Sequence, residues 1–209
     1  MKVLGIVFSP RKKGNTEILV NEALTGAKEC GAETELVAVR DYEINPCEGC
    51  MSCEKTGKCK INDDMQIMYN KLLEADGVIF GAPVYFWNIC GQAKIFIDRT
   101  VALSSPTLRL ANKVGAIITV AMRTGASEAG SFFIKYCVHN HMTVTEAVDG
   151  LAIEKGSIVD DERAMKASRE LGKTVALTIK LKNRFPESYN IPLYRLAQKH
   201  GAPTYPRNP

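Results

Sequence analysis

The sequence predicts an α/β domain, a three-layer sandwich with helices on both faces of a five-stranded parallel sheet. Three observations carry this. Short apolar runs rich in β-branched residues alternate with longer segments whose apolar residues recur at helical spacing. The short runs are apolar enough to be strands buried on both faces. The length, 209 residues, suits one domain enclosing a full core.

The elements follow in order. KVLGIVFS, residues 2–9, reads as strand one. Residues 15–30 read as a helix with Ile18, Leu19, Ala23, Leu24 and Ala27 along one side, and Gly31 supplies its stop. Strand two spans 34–39. A cysteine-rich stretch intervenes before a helix over roughly 63–74, with Met65, Met68, Leu72 and Leu73 on one face. Strand three (77–84), a helix (90–103), strand four (113–121), a helix (127–141) and strand five (142–148) complete the alternation. A long helix from about 160 to 182 follows. The domain is expected to span 1–184 with its cysteine loop at 45–63. A proline-rich tail, 185–209, is expected to hold one helical turn near Tyr194 and to pack on the body or on a neighbouring subunit.

Composition excludes several classes. The chain is neither disordered nor repetitive, and no apolar run approaches the ~18 residues of a membrane helix. The start, MKVLGIVFSP, lacks the pattern of a signal peptide, so a cytoplasmic location is expected. The formal charge of +4 is uneven. From residue 180 onward Lys180, Lys182, Arg184, Arg195, Lys199 and Arg207 face Glu187 alone, a net +5 that leaves −1 for the rest. A nucleic-acid protein would carry its basic residues on the folded body. A basic tail is a solvated segment or a docking patch for an acidic partner. Neither nucleic acid nor membrane is expected as a partner.

Parallel sheets bind ligands at the carboxyl ends of their strands, where strand order reverses. The loops to read are therefore 9–15, 40–62, 83–89, 121–126 and 148–159. SPRKKGNT, after strand one, offers Ser9, Arg11, Asn15 and Thr16 as donors, Gly14 for close approach, and free N–H groups at the helix start. It suits a phosphate without matching a P-loop or the dinucleotide fingerprint; alternatively, Asn15 or Thr16 simply caps the helix. GAPVYFWN carries Pro83, Val84, Tyr85, Phe86, Trp87 and Asn88. Three consecutive aromatics cannot all enter one core, so they either face a flat ligand or cap the sheet end or a subunit interface. AMRTGASE places Met122, Arg123, Thr124 and Gly125 after strand four, where a cation could face the pyrimidine edge of a flavin and glycine permits close approach; the alternative is a generic turn.

Four of the seven cysteines, Cys47, Cys50, Cys53 and Cys59, fall within NPCEGCMSCEKTGKC. In a reducing compartment such a group binds metal or does redox work. Three readings stand. Structural zinc usually pairs two short knuckles across a longer loop. Three cysteines in one tight run followed by a fourth suit a cubane cluster. Bare thiols are the third reading, against which stands their ready oxidation. Cys30, Cys90 and Cys137 are isolated and read as ordinary buried residues.

Together, SPRKKGNT, APVYFWN with KIFIDR, and CEGCMSC with its later cysteine resemble the NADPH-dependent FMN reductases of the flavodoxin-like superfamily and, within them, the iron–sulfur flavoproteins of anaerobic archaea and bacteria. The resemblance covers roughly the first 125 residues. It implies a flavodoxin-like five-stranded sheet in a homo-oligomer, a dimer or tetramer. FMN phosphate would sit on Ser9, Arg11, Asn15 and Thr16. The flavin ring would lie against 83–88 and under Met122, Arg123, Thr124 and Gly125. A [4Fe-4S] cluster would be held by Cys47, Cys50, Cys53 and Cys59, and a ferredoxin-like donor would supply electrons. The alternative function is an NAD(P)H-dependent FMN or quinone reductase without a cluster. No general acid or base stands out in these motifs, and electron transfer needs none.

Overall fold

A computed structural model describes residues 1–201 of the chain. Five strands form a wholly parallel ladder: β1 (Lys2–Val7), β2 (Glu33–Ala38), β3 (Gly77–Tyr85), β5 (Val114–Ala121) and β6 (Thr143–Leu151). Their order across the sheet is β2-β1-β3-β5-β6. Strand order reverses at β1, so the carboxyl ends of β1 and β3 frame the expected crevice. The sixth strand, β4 (Asn88–Ile89), pairs antiparallel with the end of β3. The aromatic loop is therefore a tight hairpin, where the sequence predicts an open loop.

Alternate residues of each strand feed two cores. Val3, Val7, Ile79, Ile118 and Val120 pack beneath α1 (Asn15–Glu29) and α7 (Glu162–Leu181). Leu4, Ile6, Phe8, Val78, Phe80 and Ile117 pack on the opposite face, beneath α3 (Met65–Glu74), α4 (Gly91–Arg99), α5 (Val101–Ser104) and α6 (Ala126–His139). The short α2 (Ser52–Thr56) lies inside the cysteine stretch. Among the described residues no helix is long and apolar enough to cross a membrane.

Two boundaries differ from expectation for physical reasons. The helix expected over 90–103 breaks at Thr100, whose hydroxyl donates back to the Ile97 carbonyl at 2.6 Å, a local bond that competes with helix continuation. Strand β6 runs on through Asp149 and Gly150, which read locally as turn residues but pair with Thr119 and Val120. The tail carries two turns of helix, α8 (Leu193–Lys199), where one was expected. It returns across the body: the Phe185 N–H donates to Asn112, and the Leu108 N–H donates to the Asn190 carbonyl. Residues 202–209 of the expected tail, Arg207 included, lie outside the described residues.

Helices α1 and α7 cross backbone to backbone. A Cβ built on Gly172 would stand 1.7 Å from the Ala23 carbonyl oxygen, and one on Gly26 would stand 1.9 Å from that of Arg169. Gly172→Ala should therefore cost about 1–3 kcal/mol, because overpacking against rigid backbone outweighs the better helix propensity. Gly130 in α6 meets nothing within 4 Å. There the same change should stabilise by about 0.5–1 kcal/mol. Denaturant midpoints of the two variants should move in opposite directions.

Candidate functional site

The first rim loop leaves β1 and opens α1. Its N-cap is Gly14, which has no capping side chain, so neither Asn15 nor Thr16 caps the helix. The first intrahelical bond runs from the Ile18 N–H to the Gly14 carbonyl, leaving the N–H groups of residues 15–17 without an intrahelical acceptor. The Ser9 hydroxyl oxygen accepts from the Arg11 N–H at 3.3 Å. The Asn15 side chain is turned away. Its amide donates to the Glu154 carbonyl at 2.8 Å, and its oxygen accepts from the Gly156 N–H at 2.7 Å. It therefore fastens the loop after β6 to the first rim loop, leaving only its backbone N–H facing the helix mouth.

A carboxylate at this helix start would repel an anion, and Glu17 stands there. It is neutralised by Arg40 at 2.8 Å and accepts the Lys13 N–H at 2.9 Å, while Arg40 also donates to the Ser9 carbonyl. The sequence reading misses Arg40 because it lies 23 positions from its partner, and no local motif signals the pair.

Ser9, Arg11, Asn15 and Thr16 line one cleft of about 170 Å³ with Pro83, Val84, Tyr85 and Met122. Val120, Ala121, Ala152 and Ile153 complete its wall, and none of these four was singled out in the sequence. Phe86 and Trp87 occupy the hairpin tip with positive φ, 43° and 71°, an uncommon state for bulky residues. Their rings do not line the cleft; Phe86 is 98% exposed. Asn88 turns its oxygen to the Ile89 N–H. Arg123 and Thr124 are exposed on the neighbouring loop. Gly125 has φ 91°, and a Cβ there would stand 2.9 Å from Val84 Cγ1 and 3.2 Å from Trp87 Cα. Only glycine lets these two rim loops touch.

The cysteine stretch is a compact excursion. Gly49, Met51 and Gly57 adopt left-handed backbone and turn it back on itself. Cys47, Cys50, Cys53 and Cys59 all line one mainly apolar cavity of about 920 Å³. Its other walls come from residues 97–105, from the end of α6 and from Pro192 and Tyr194 of the tail. All four are free thiols, with Cys47 and Cys50 exposed. Burial raises the Cys53 thiol above its ordinary value, and the neighbouring Cys59, Cys47 and Cys50 raise it further. Among the described residues, no three Cys, His, Asp or Glu side chains are grouped to hold a single metal ion. The donor set itself is four uncommitted sulfurs on one cavity, the chemistry a cubane takes. Elsewhere Cys90 and Cys137 are buried, and burial pushes the Cys137 thiol up to about 12.

One buried side chain clasps the loop. Arg99 is fully buried and donates to both oxygens of Asp63, at 2.6 and 2.9 Å, and to the carbonyls of Asn45 and Ile61. Asp63 in turn accepts from the Asn45 and Met65 N–H groups. A single guanidinium thus joins the two ends of the segment that carries the cysteines. Arg99 closes the KIFIDR motif, but nothing in the motif marks its arginine for this role.

Comparison with known proteins fits this geometry. A family model described as NADPH-dependent FMN reductase matches residues 1–152. An iron–sulfur flavoprotein of Methanocaldococcus jannaschii is 40% identical over 191 residues, covering 87% of this chain and 98% of that protein. One from Methanosarcina thermophila is 42% identical over 142 residues, covering 68% and 74%. The chain belongs to the iron–sulfur flavoproteins of the NADPH-dependent FMN reductase family, and it is an oxidoreductase. Among solved structures, RosB with bound 8-demethyl-8-formylriboflavin-5′-phosphate aligns at TM-score 0.79 with 17% identity, covering 100% of this chain and 91% of that one. An archaeal flavodoxin aligns at TM-score 0.59 with 16% identity, covering 86% and 99%. Both likenesses bear out the flavodoxin-like fold.

Proposed function

We propose that this flavin oxidoreductase works with FMN in the rim cleft and a [4Fe-4S] cluster on Cys47, Cys50, Cys53 and Cys59, in the cytoplasm, with electrons supplied by a ferredoxin-like donor. The observation that carries the reading is that all four free thiols line one cavity, on a segment whose two ends Arg99 holds together. When bound, FMN stores one or two electrons and the cluster passes one at a time.

The residues of the chain do the positioning. The open N–H groups of Asn15, Thr16 and Glu17, with Ser9 and Arg11, would receive the phosphate, and Arg40 neutralises Glu17 beside them. Pro83, Val84 and Tyr85, which line the cleft, would lie against the ring. Phe86, Trp87 and Asn88, on the hairpin beside the cleft, and Met122, Arg123, Thr124 and Gly125, on the loop packed against that hairpin, would flank the ring. The rim cleft and the cysteine cavity share no lining residue. That separation supports a homo-oligomer, a dimer or tetramer, in which the cysteine cavity of one subunit serves the flavin cleft of the next.

Protein purified without oxygen and supplied with iron and sulfide should contain about four irons and four sulfides per flavin, with broad brown absorbance beneath the flavin bands. A clean yellow spectrum without iron would favour the alternative, an NAD(P)H-dependent FMN or quinone reductase with bare cysteines, a reading that draws on the exposure of Cys47 and Cys50. Arg11→Ala should weaken FMN binding by about 1.5–3 kcal/mol, roughly 10- to 150-fold in Kd. An unchanged Kd in flavin-fluorescence titration would remove Arg11 from the phosphate site.

A further inference from the structure

Two buried donors meet at the Cys59 corner of the cysteine cavity. Tyr69 of α3 is buried, and Cys59 packs against the core cluster that holds it. Its phenol O–H donates to the Arg99 carbonyl at 2.9 Å. Burial, and then Cys59 beside it, raise that phenol above its ordinary value, so it remains a protonated donor at neutral pH. Arg99 lines the cavity together with Cys59. Its terminal nitrogens serve Asp63 and the Asn45 and Ile61 carbonyls, but its Nε–H is buried and, among the described residues, has no partner. A buried donor left unpaired is costly and rare in a native structure. Burial works against the Arg99 charge, while Asp63, Tyr69 and Cys59 outweigh it and raise the guanidinium above its ordinary value. Cys47 and Cys50 differ: both are exposed, where water screens any neighbouring group. The four sulfurs are not equivalent.

We propose that Tyr69 and Arg99 are positioning residues that act through the Cys59 sulfur to raise the reduction potential of the cysteine-held centre. The proposal rests on the cluster reading of the four cysteines and adds which groups of the chain tune it. One electron gained by the centre places more negative charge on its sulfurs. Donors at one of those sulfurs stabilise the reduced form more than the oxidised one, and they do so more strongly in a buried site than in water. Asp63 balances the guanidinium charge, so what acts on Cys59 is an O–H and an N–H dipole. Neither residue gives up its proton, and no atom is transferred.

The test is a redox titration of the iron-loaded protein with dithionite and mediators, the reduced centre being followed by electron paramagnetic resonance. Tyr69→Phe removes the O–H and keeps the ring in the core. At the parent's midpoint, where reduced and oxidised centres are equal, the variant's ratio of reduced to oxidised should fall to about one tenth, which is about 59 mV for a one-electron couple. Arg99→Lys, which keeps a cation for Asp63 but has no Nε–H, should move the midpoint the same way. Gln66→Ala is the structural control. Gln66 donates to the Ile61 carbonyl at 2.9 Å, so its loss loosens the same loop while sparing both donors, and its midpoint should match the parent's. A Tyr69→Phe midpoint equal to the parent's, at the parent's iron content, overturns the proposal and leaves the cluster reading standing. A Gln66→Ala shift as large as that of Tyr69→Phe also overturns it, because loop order alone would then set the potential. A parent protein without iron and sulfide overturns the cluster reading and this proposal with it.

Discussion

Arg99→Met is expected to destabilise the protein by about 3–5 kcal/mol, because it leaves Asp63 buried without its counter-charge. The guanidinium is fully buried, its ion pair with Asp63 is 2.6 Å long, and its remaining donors hold two carbonyls of the cysteine stretch. Burial alone would raise the Asp63 carboxyl, but Arg99 and the N–H groups of Asn45 and Met65 hold it below its usual value. A depressed carboxylate contributes stability above its unfolded range, near pH 4, and loses it as pH falls through the folded value. The variant should therefore lose less stability than the parent on acidification. Replacing both partners, as Arg99→Met with Asp63→Leu, should recover part of the loss, because no charge is then stranded. Urea denaturation at neutral and acid pH checks both statements. Iron retention tests the consequence for the site: a loop released at Asn45 and Ile61 should surrender metal to a chelator faster than the parent, even at temperatures where the rest of the domain stays folded.

The fold was legible because its signals are local. Each strand of the parallel ladder is a short apolar run, and each covering helix repeats its apolar residues over several turns, so neighbouring residues suffice to read them. The cysteine motif and the phosphate loop are local too. What escaped the sequence is made by residues far apart along the chain. Arg99 reaches Asp63 across 36 positions, and Arg40 reaches Glu17 across 23. Asn15 reads as a phosphate donor in its own loop, yet 141 positions away Gly156 claims its oxygen. The hairpin at 83–89 escaped for another reason. Phe86 and Trp87 both take left-handed backbone, which no propensity of bulky aromatics suggests.

Cys50→Ala should empty the protein of iron while leaving its flavin in place. The thiol is exposed and lies in a turn without packing partners in either core, so its loss should change the stability of the iron-free protein by no more than about 0.5 kcal/mol. Its chemical loss is large by contrast. With only Cys47, Cys53 and Cys59 left to hold it, the cluster would lack one protein ligand and be open to loss on oxidation. Iron and sulfide should fall from about four per chain to near none on exposure to air, while FMN titration gives the parent Kd, because no wall of the rim cleft belongs to the cysteine cavity. Cys137→Ala is the opposing control. That thiol is buried beneath α6 in the core, so its removal should lower the melting temperature and leave the iron content alone. Iron analysis and flavin fluorescence on both variants separate the roles. Flavin lost together with iron in Cys50→Ala would mean that the two sites depend on one another, and iron retained there would take Cys50 out of the ligand set.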